Sequence, residues 1–579
     1  MSAVSIDQSI FEPALFVGTV AAVDPGRVRI NLSAGGRPSS TVVGGSRHGL
    51  GVVGEFVVIE GEGAAQFGRI VEVRLPERER LAVEAQIGRE VDVHPIGTVQ
   101  LLASVSLRNL AIQAGVEDYP RLGARVFAAP FDFISSIPLR TGREGAPPRV
   151  AVHLGHLKDS PESRVEVTPE RLFGRHCAVL GATGGGKSFT VARLAEECTR
   201  LSGKAILLDP SGEYHSLANA VEHVHFGISS DRWPKSTECA LPYGALSEGD
   251  FIALFQPAGR TQGPKLRAAI RSLRLVAARP TFGIDGCLVK KGRKKADVAN
   301  AEADPAVAAV LESPRGPFDV SRLARQLREE CVYENGGTLN APDSSVWGNY
   351  DDGTYSYCLT LVSRINSVLF APELRCIFQP GPAESVVSVI ERFAKSNTSV
   401  LRISLEQLSF EFRAREIVTN GIGRRLLEMA RAGAFKQWPM LVFLDEAHQF
   451  LNRTIGDEEY AARLDAFELI AKEGRKYGLN VCMATQRPRD IPEGVLSQMG
   501  TLVVHRLTND RDREVVERAC GEIDKSASAF LPNLEPGEAA LIGVDLAIPL
   551  AIQIGRPRHS PDSSGPDYQQ SWGRPGAVK

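Results

Sequence analysis

Residues 181–188 read Gly181-Ala182-Thr183-Gly184-Gly185-Gly186-Lys187-Ser188, which satisfies every position of the pattern G-x-x-x-x-G-K-[ST]. The segment before it, Cys177-Ala178-Val179-Leu180, is a short apolar run of the kind that becomes a buried strand. After it, Val191, Leu194, Ala195 and Cys198 recur at helical spacing. The glycines therefore stand where a strand turns into a helix. Glycines let the backbone curl so that successive N–H groups face an anion, and the helix N-terminus adds partial positive charge. In such a loop Gly181, Thr183, Gly184, Gly185 and Gly186 cradle phosphates, with Phe189 completing the nucleotide-binding set. Lys187 neutralises the β- and γ-phosphates and Ser188 holds Mg²⁺ through its hydroxyl. A Gly-rich turn that binds nothing needs neither this spacing nor this setting, so nucleotide binding is the reading.

Downstream, Met440-Leu441-Val442-Phe443-Leu444 runs into Asp445-Glu446-Ala447-His448. An apolar strand ending in two acids has the form of a Walker B element. Asp445 is then the metal-shell carboxylate and Glu446 the group that polarises the attacking water. A further strand, Leu479-Asn480-Val481-Cys482-Met483-Ala484-Thr485, ends in Gln486, well placed to sense the γ-phosphate. Another, Ala205-Ile206-Leu207-Leu208, ends in Asp209-Pro210-Ser211-Gly212-Glu213-Tyr214. Those acids lie at the carboxyl edge of a parallel sheet, where ligands bind, or simply in a turn started by Asp-Pro. Arg475, at a helix end, has two readings: a solvated cation, or the arginine that ring ATPases take from a neighbouring subunit.

At 579 residues the chain is too long for one core. Residues 14–145 carry short β-rich runs, among them Leu15-Phe16-Val17-Gly18-Thr19-Val20 and Glu55-Phe56-Val57-Val58-Ile59, divided by Asp24-Pro25-Gly26 and Gly-rich turns. These predict a small β-barrel. The sheet domain follows over 150–250 and returns over 396–555. Between them, 251–395 reads as a mostly helical insertion with basic-faced helices. Its run Lys290-Lys291-Gly292-Arg293-Lys294-Lys295 is either a solvated loop or a contact for nucleic-acid phosphates. The tail, 556–579, is too polar and Pro-rich to pack as a core, and the expectation is disorder in isolation with ordering on assembly.

Sixty-seven basic against 69 acidic residues give a net charge of −2, so no global basic field advertises nucleic acid and any polyanion site is local. The nine cysteines are scattered without a C-x-x-C pair, which points to free thiols in a reducing compartment. The start of the chain lacks a signal-peptide pattern, and no stretch of about 18 apolar residues occurs. The expected location is cytoplasmic, with no membrane partner.

Taken together, Gly181 to Ser188, Asp209-Pro210-Ser211-Gly212-Glu213-Tyr214, Leu444 to His448, Glu473-Gly474-Arg475-Lys476 and Ala484-Thr485-Gln486-Arg487-Pro488 resemble HerA, of the HerA/FtsK branch of RecA-like motor ATPases. The match departs at Ser211, where HerA proteins often carry His. The resemblance implies an α/β fold with a RecA-like P-loop ATPase core on a parallel sheet, an N-terminal barrel like the HAS-barrel and a helical insertion. It also implies a homo-hexamer that hydrolyses ATP with Mg²⁺ at subunit interfaces and translocates double-stranded DNA. Carried over by position, Lys187, Ser188, Asp445 and Glu446 keep the roles above. Gln486 becomes the γ-phosphate sensor, Arg475 the trans-acting finger, and Arg175 an additional cis-acting arginine. The implied partner is a separate effector, either a NurA-like nuclease in DNA end processing or a nuclease or sirtuin-like NADase in anti-phage defence. The alternative is a nucleotide-dependent ring scaffold that assembles and activates such an effector. The full hydrolysis set favours the motor, since a scaffold needs only Lys187 and Ser188.

Overall fold

The computed structural model describes residues 10–32, 40–43, 45–76, 94–142, 148–227, 235–338, 340–409, 411–451, 453–455, 462–519, 530–563, 568 and 572. Near the N-terminus, six antiparallel strands close on themselves in the order Arg27–Leu32, Phe16–Asp24, Arg125–Ala128, Phe56–Ile59, Ala64–Arg74 and Ile96–Ser106, the last pairing with the first. Alternation drives the closure. Val28, Ile30, Val57, Ile59, Ile70, Val99 and Val126 point to one buried interior, while Val58, Phe67 and Val105 on the other face join the core of the domain that follows. The helix Phe131–Arg140 leads out of the barrel. Ser163 Oγ on the next domain donates to Asp132 Oδ1 at 3.1 Å.

The second domain is built on a 13-stranded sheet. Its parallel strands run in the order Thr501–Val504, Cys177–Leu180, Leu479–Thr485, Met440–Leu444, Lys204–Asp209, Val400–Ser404, Val221–His225, Thr237–Ala240 and Glu384–Ser385. Glu538–Ile542, Leu550–Ile554, Val152–Leu157 and Ser160–Val167 extend it antiparallel beyond Thr501–Val504. Helices cover both faces, so the central strands carry near-continuous apolar runs: Cys177–Leu180, Met440–Leu444 and Val400–Ser404 are buried at every position. The parallel arrangement brings the ends of five strands, at Gly181, Asp209, Asp445, Gln486 and His505, to one edge of the sheet.

Between Ala240 and Val400 the chain is mostly helical, with long helices at Gly259–Ala278 and Asp352–Phe370 and a short hairpin at Gly336–Thr338 and Ala341–Asp343. The basic run at 290–295 is held here: Lys290 pairs with Glu330, Lys291 Nζ lies 5.2 Å from the centre of the Tyr350 ring, and Arg293 Nε donates to Val289 O at 2.9 Å. The eight described cysteines are all free and buried, and Cys520 lies outside the described residues. Among the described residues no helix is long and apolar enough to cross a membrane.

Candidate active site

The strand Cys177–Leu180 ends at Gly181, and the helix Lys187–Arg200 begins at Lys187. The turn between them needs glycine for two separate reasons. Gly184 and Gly186 have φ of 76° and 109°, in the left-handed region that side chains disfavour. A Cβ on Gly181 would stand 2.6 Å from His505 Cβ. The loop is pinned by Ala182 N donating to Arg506 O at 3.1 Å and Gly537 N donating to Gly185 O at 3.2 Å.

Lys187, the first residue of that helix, is buried and reaches two carboxylates: its Nζ is 3.2 Å from Asp445 Oδ1 and 3.1 Å from Glu446 Oε1. Burial by itself would lower the Lys187 pKa, but the two carboxylates more than offset it and hold the ammonium raised. Asp445 is fully enclosed, and burial pushes its carboxyl up to about 6, with Lys187 pulling the other way and Glu446 adding like charge. The Tyr214 hydroxyl donates to Asp445 Oδ2 at 3.1 Å.

Glu446 has φ of 47°, a left-handed conformation that costs free energy and aims the side chain back over the loop. Gln486 Nε2 donates to its Oε1 at 3.3 Å, and His448 Nδ1 stands 3.2 Å from its Oε2. Gln486 in turn accepts from Thr183 Oγ1 at 2.5 Å, closing a ring of contacts from the P-loop to the Walker B strand and back. These groups face a cavity of about 380 Å³ whose lining includes Gly184, Gly186, Ser188, Phe189, Glu213 and Arg556. Phe189 is 37% exposed, leaving an aromatic edge free at the cavity. One oxygen of Glu213 is buried without a hydrogen-bond partner.

Two other predicted residues lie elsewhere. Arg175 precedes the strand that the P-loop follows, so a strand of about 13 Å separates it from Gly181. That exceeds the reach of an arginine side chain, and its Nε lies 3.4 Å from Asp545 Oδ1. The structure therefore does not bring Arg175 to its own P-loop. Arg475 sits in the turn Gly474–Tyr477 before the strand Leu479–Thr485, on the same far edge. Of the two readings of Asp209, ligand or turn, the geometry favours the turn. It is fully buried, and its oxygens accept from Gly212 N at 2.8 Å, Tyr214 N at 3.1 Å and Arg402 Nε at 2.7 Å, leaving it a structural role.

Several participants were not read from the sequence. Tyr214 and His448 were visible only as neighbours of acidic motifs. The His505 ring, 2.7 Å from Thr190 Oγ1 and 2.8 Å from Glu538 O, braces the P-loop helix from a strand end that carries no motif. The tail differs most from expectation. Residues 556–563 are packed against the domain, with Arg558 N and His559 N donating to Glu196 and Asp562 N to Glu213 O. Backbone hydrogen bonds, with Pro557 and Pro561 buried, hold it there.

Two family models match the chain: the central domain of the helicase HerA over residues 152–325 and the helicase HerA-like C-terminal domain over residues 426–530. The DNA double-strand break repair helicase HerA of Pyrococcus furiosus is 24% identical over 456 residues, covering 75% of this chain and 73% of its own. HerA of Saccharolobus solfataricus is 24% identical over 419 residues, 69% of this chain and 68% of its own. Among solved structures, VirB4 of Thermoanaerobacter pseudethanolicus aligns with a TM-score of 0.43 at 14% identity, over 71% of this chain and 98% of that one. With a P-loop, a Walker B strand and a polar sensor gathered at one sheet edge, the chain carries the two HerA-type domains of a P-loop ATPase and is similar to the HerA helicases over most of its length.

Proposed function

We propose that this protein is an ATP-driven translocase of double-stranded DNA, assembled as a homo-hexamer with nucleotide held between adjoining subunits. In this reading it acts in the cytoplasm with a separate effector, a NurA-like nuclease or a sirtuin-like NADase, in DNA end processing or anti-phage defence. The observation that carries the reading is the convergence of Lys187, Ser188, Glu446 and Gln486 on one cavity, with Asp445 behind them. Curated relatives named as DNA double-strand break repair helicases supply the DNA.

The residues fit a bound Mg²⁺. Asp445 and Glu446 both reach the one lysine and Glu213 lines the same cavity, an excess of negative charge that a divalent cation relieves. Ser188 and Asp445 are the groups to hold it. Among the described residues no three His, Cys, Asp or Glu side chains are arranged to hold a metal alone, as suits an ion that takes its other ligands from phosphate and water. When bound, Mg²⁺ supplies charge neutralisation on the β- and γ-phosphates.

Lys187 exchanges its two carboxylate partners for phosphate oxygens when ATP enters. That exchange frees Glu446 Oε1 to accept the proton of the attacking water, with Gln486 holding the glutamate on one side and His448 on the other. Tyr214 keeps Asp445 oriented. Arg475 lies on the far edge of the sheet and serves the nucleotide of an adjoining subunit.

The test is ATP turnover by the purified chain with and without duplex DNA. The expected result is stimulation by duplex and loss of turnover in Glu446→Gln; a rate indifferent to DNA would contradict translocation.

A further inference from the structure

After the strand Leu550–Ile554 the chain stays on the motor domain. Gly555 N donates to Leu154 O at 2.8 Å, and Arg558 N and His559 N donate to the Glu196 carboxylate at 3.0 and 2.8 Å. His559 Nδ1 stands 3.0 Å from the same carboxylate. Farther on, Ser216 Oγ donates to Ser560 O at 2.8 Å and Asp562 N to Glu213 O at 2.9 Å. Pro557 is buried. The segment is thus a strap, buckled at one end to the P-loop helix through Glu196 and at the other to the loop that carries Glu213.

Arg556 and Ser563 of this strap line the nucleotide cavity. Among its described lining residues the cations are Lys187 and Arg556, and Lys187 already faces carboxylates. A nucleoside triphosphate carries more negative charge than one lysine neutralises. Arg556 is exposed, so its guanidinium remains available to a ligand. It also borders a second cavity of about 840 Å³ that Arg164, Arg193, Arg200 and Arg558 line. Glu166, Glu196 and Glu197 are outnumbered there, and Glu196 and Glu197 are already bonded to the strap and to Arg193 and Arg200. Like charge on that side favours Arg556 turning toward the nucleotide.

We propose that Arg556 is a second phosphate-binding cation of the ATP site, delivered in cis by the C-terminal strap. The proposal rests on the ATP-binding reading above. A planar guanidinium fork grips two phosphate oxygens at once, which a lysine at the same place does not. Glu196 is a positioning residue: it holds the strap without lining the nucleotide cavity.

The experiment is a titration of the full chain with a fluorescent ATP analogue, using wild type, Arg556→Ala, Arg556→Lys, Glu196→Ala and Lys187→Ala, with adenosine as competitor. Arg556→Ala is expected to weaken ATP by roughly tenfold, the size of one charge-assisted hydrogen bond, and adenosine hardly at all. Arg556→Lys recovers part of the loss, and Glu196→Ala weakens ATP in the same direction. In mixed assemblies of Arg556→Ala and Lys187→Ala subunits, the sites that keep Lys187 should retain the weakened ATP affinity of Arg556→Ala and recover none of it, because each lesion spoils its own site. Recovery would mean that Arg556 serves a neighbour and would overturn the cis assignment. Wild-type affinity in Arg556→Ala, with binding lost in Lys187→Ala, would overturn the strap while leaving the ATPase reading intact. A wild-type chain that binds no ATP would bring down that reading itself.

Discussion

Arg402 Nε donates to Asp209 Oδ2 at 2.7 Å in the interior of the large sheet, with the two side chains 1% and 0% exposed. They come from adjacent parallel strands, Val400–Ser404 and Lys204–Asp209. Asp209 also accepts from the backbone of Gly212 and Tyr214, and the Tyr214 hydroxyl donates to Asp445. One buried ion pair therefore fixes the loop that orients the Walker B carboxylate, linking the stability of the sheet to the geometry of the site.

Arg402→Leu leaves Asp209 buried and uncompensated. Removing one partner of such a pair costs about 3–5 kcal/mol, so the variant should unfold at clearly lower temperature and urea concentration than wild type. Adding Asp209→Asn, which removes the stranded charge and keeps the turn acceptor, should restore part of the loss.

Lys187→Ala should abolish nucleotide binding, because it removes the buried cation at the cavity. Glu446→Gln should keep binding and lose turnover, since an amide cannot take the proton of water. Equilibrium binding and phosphate release, measured on both variants, separate the two roles. Effector activation that survives Glu446→Gln would favour the scaffold over the motor.

Acid should destabilise the fold between about pH 6.5 and pH 4. Burial pushes His176 down to about 4, and its Nδ1 accepts from Val481 N at 3.1 Å, which requires a neutral ring. Burial likewise pushes His505 down to about 4. The unfolded chain binds protons at these residues below pH 6.5 while the folded chain does not. Their contribution is therefore intact above pH 6.5 and is lost as pH falls toward 4, by about 3 kcal/mol for each when the fall is complete. Melting temperature followed from pH 7.5 to pH 5 checks this, and His176→Gln should flatten the profile.

Strand ends at Gly181, Asp445 and Gln486 were legible because a parallel sheet makes the carboxyl end of an apolar run a meaningful place, and the barrel was legible from alternation and turn residues. Arg402 could not be found this way. It sits mid-strand at a position that reads as a break in the apolar run, and only its three-dimensional neighbour Asp209 explains it. The placement of Arg175 was illegible for the opposite reason, since closeness to Lys187 along the chain does not fix distance when a strand lies between them. The strap was illegible because its anchors are backbone N–H groups, which every sequence supplies, and distant carboxylates such as Glu196.

Arg475 and the P-loop lie on opposite edges of the sheet, so no single subunit joins them. Mixed assemblies of Arg475→Ala and Lys187→Ala subunits should regain ATP turnover that neither parent shows. Turnover that stays at the parental level would return Arg475 to a solvated cation.

The most direct test of DNA translocation is displacement of a protein roadblock from linear duplex DNA by the full chain in the presence of ATP and Mg²⁺. The account predicts displacement by wild type and retention of the roadblock with Glu446→Gln. ATP hydrolysis by wild type that leaves the roadblock in place would contradict it.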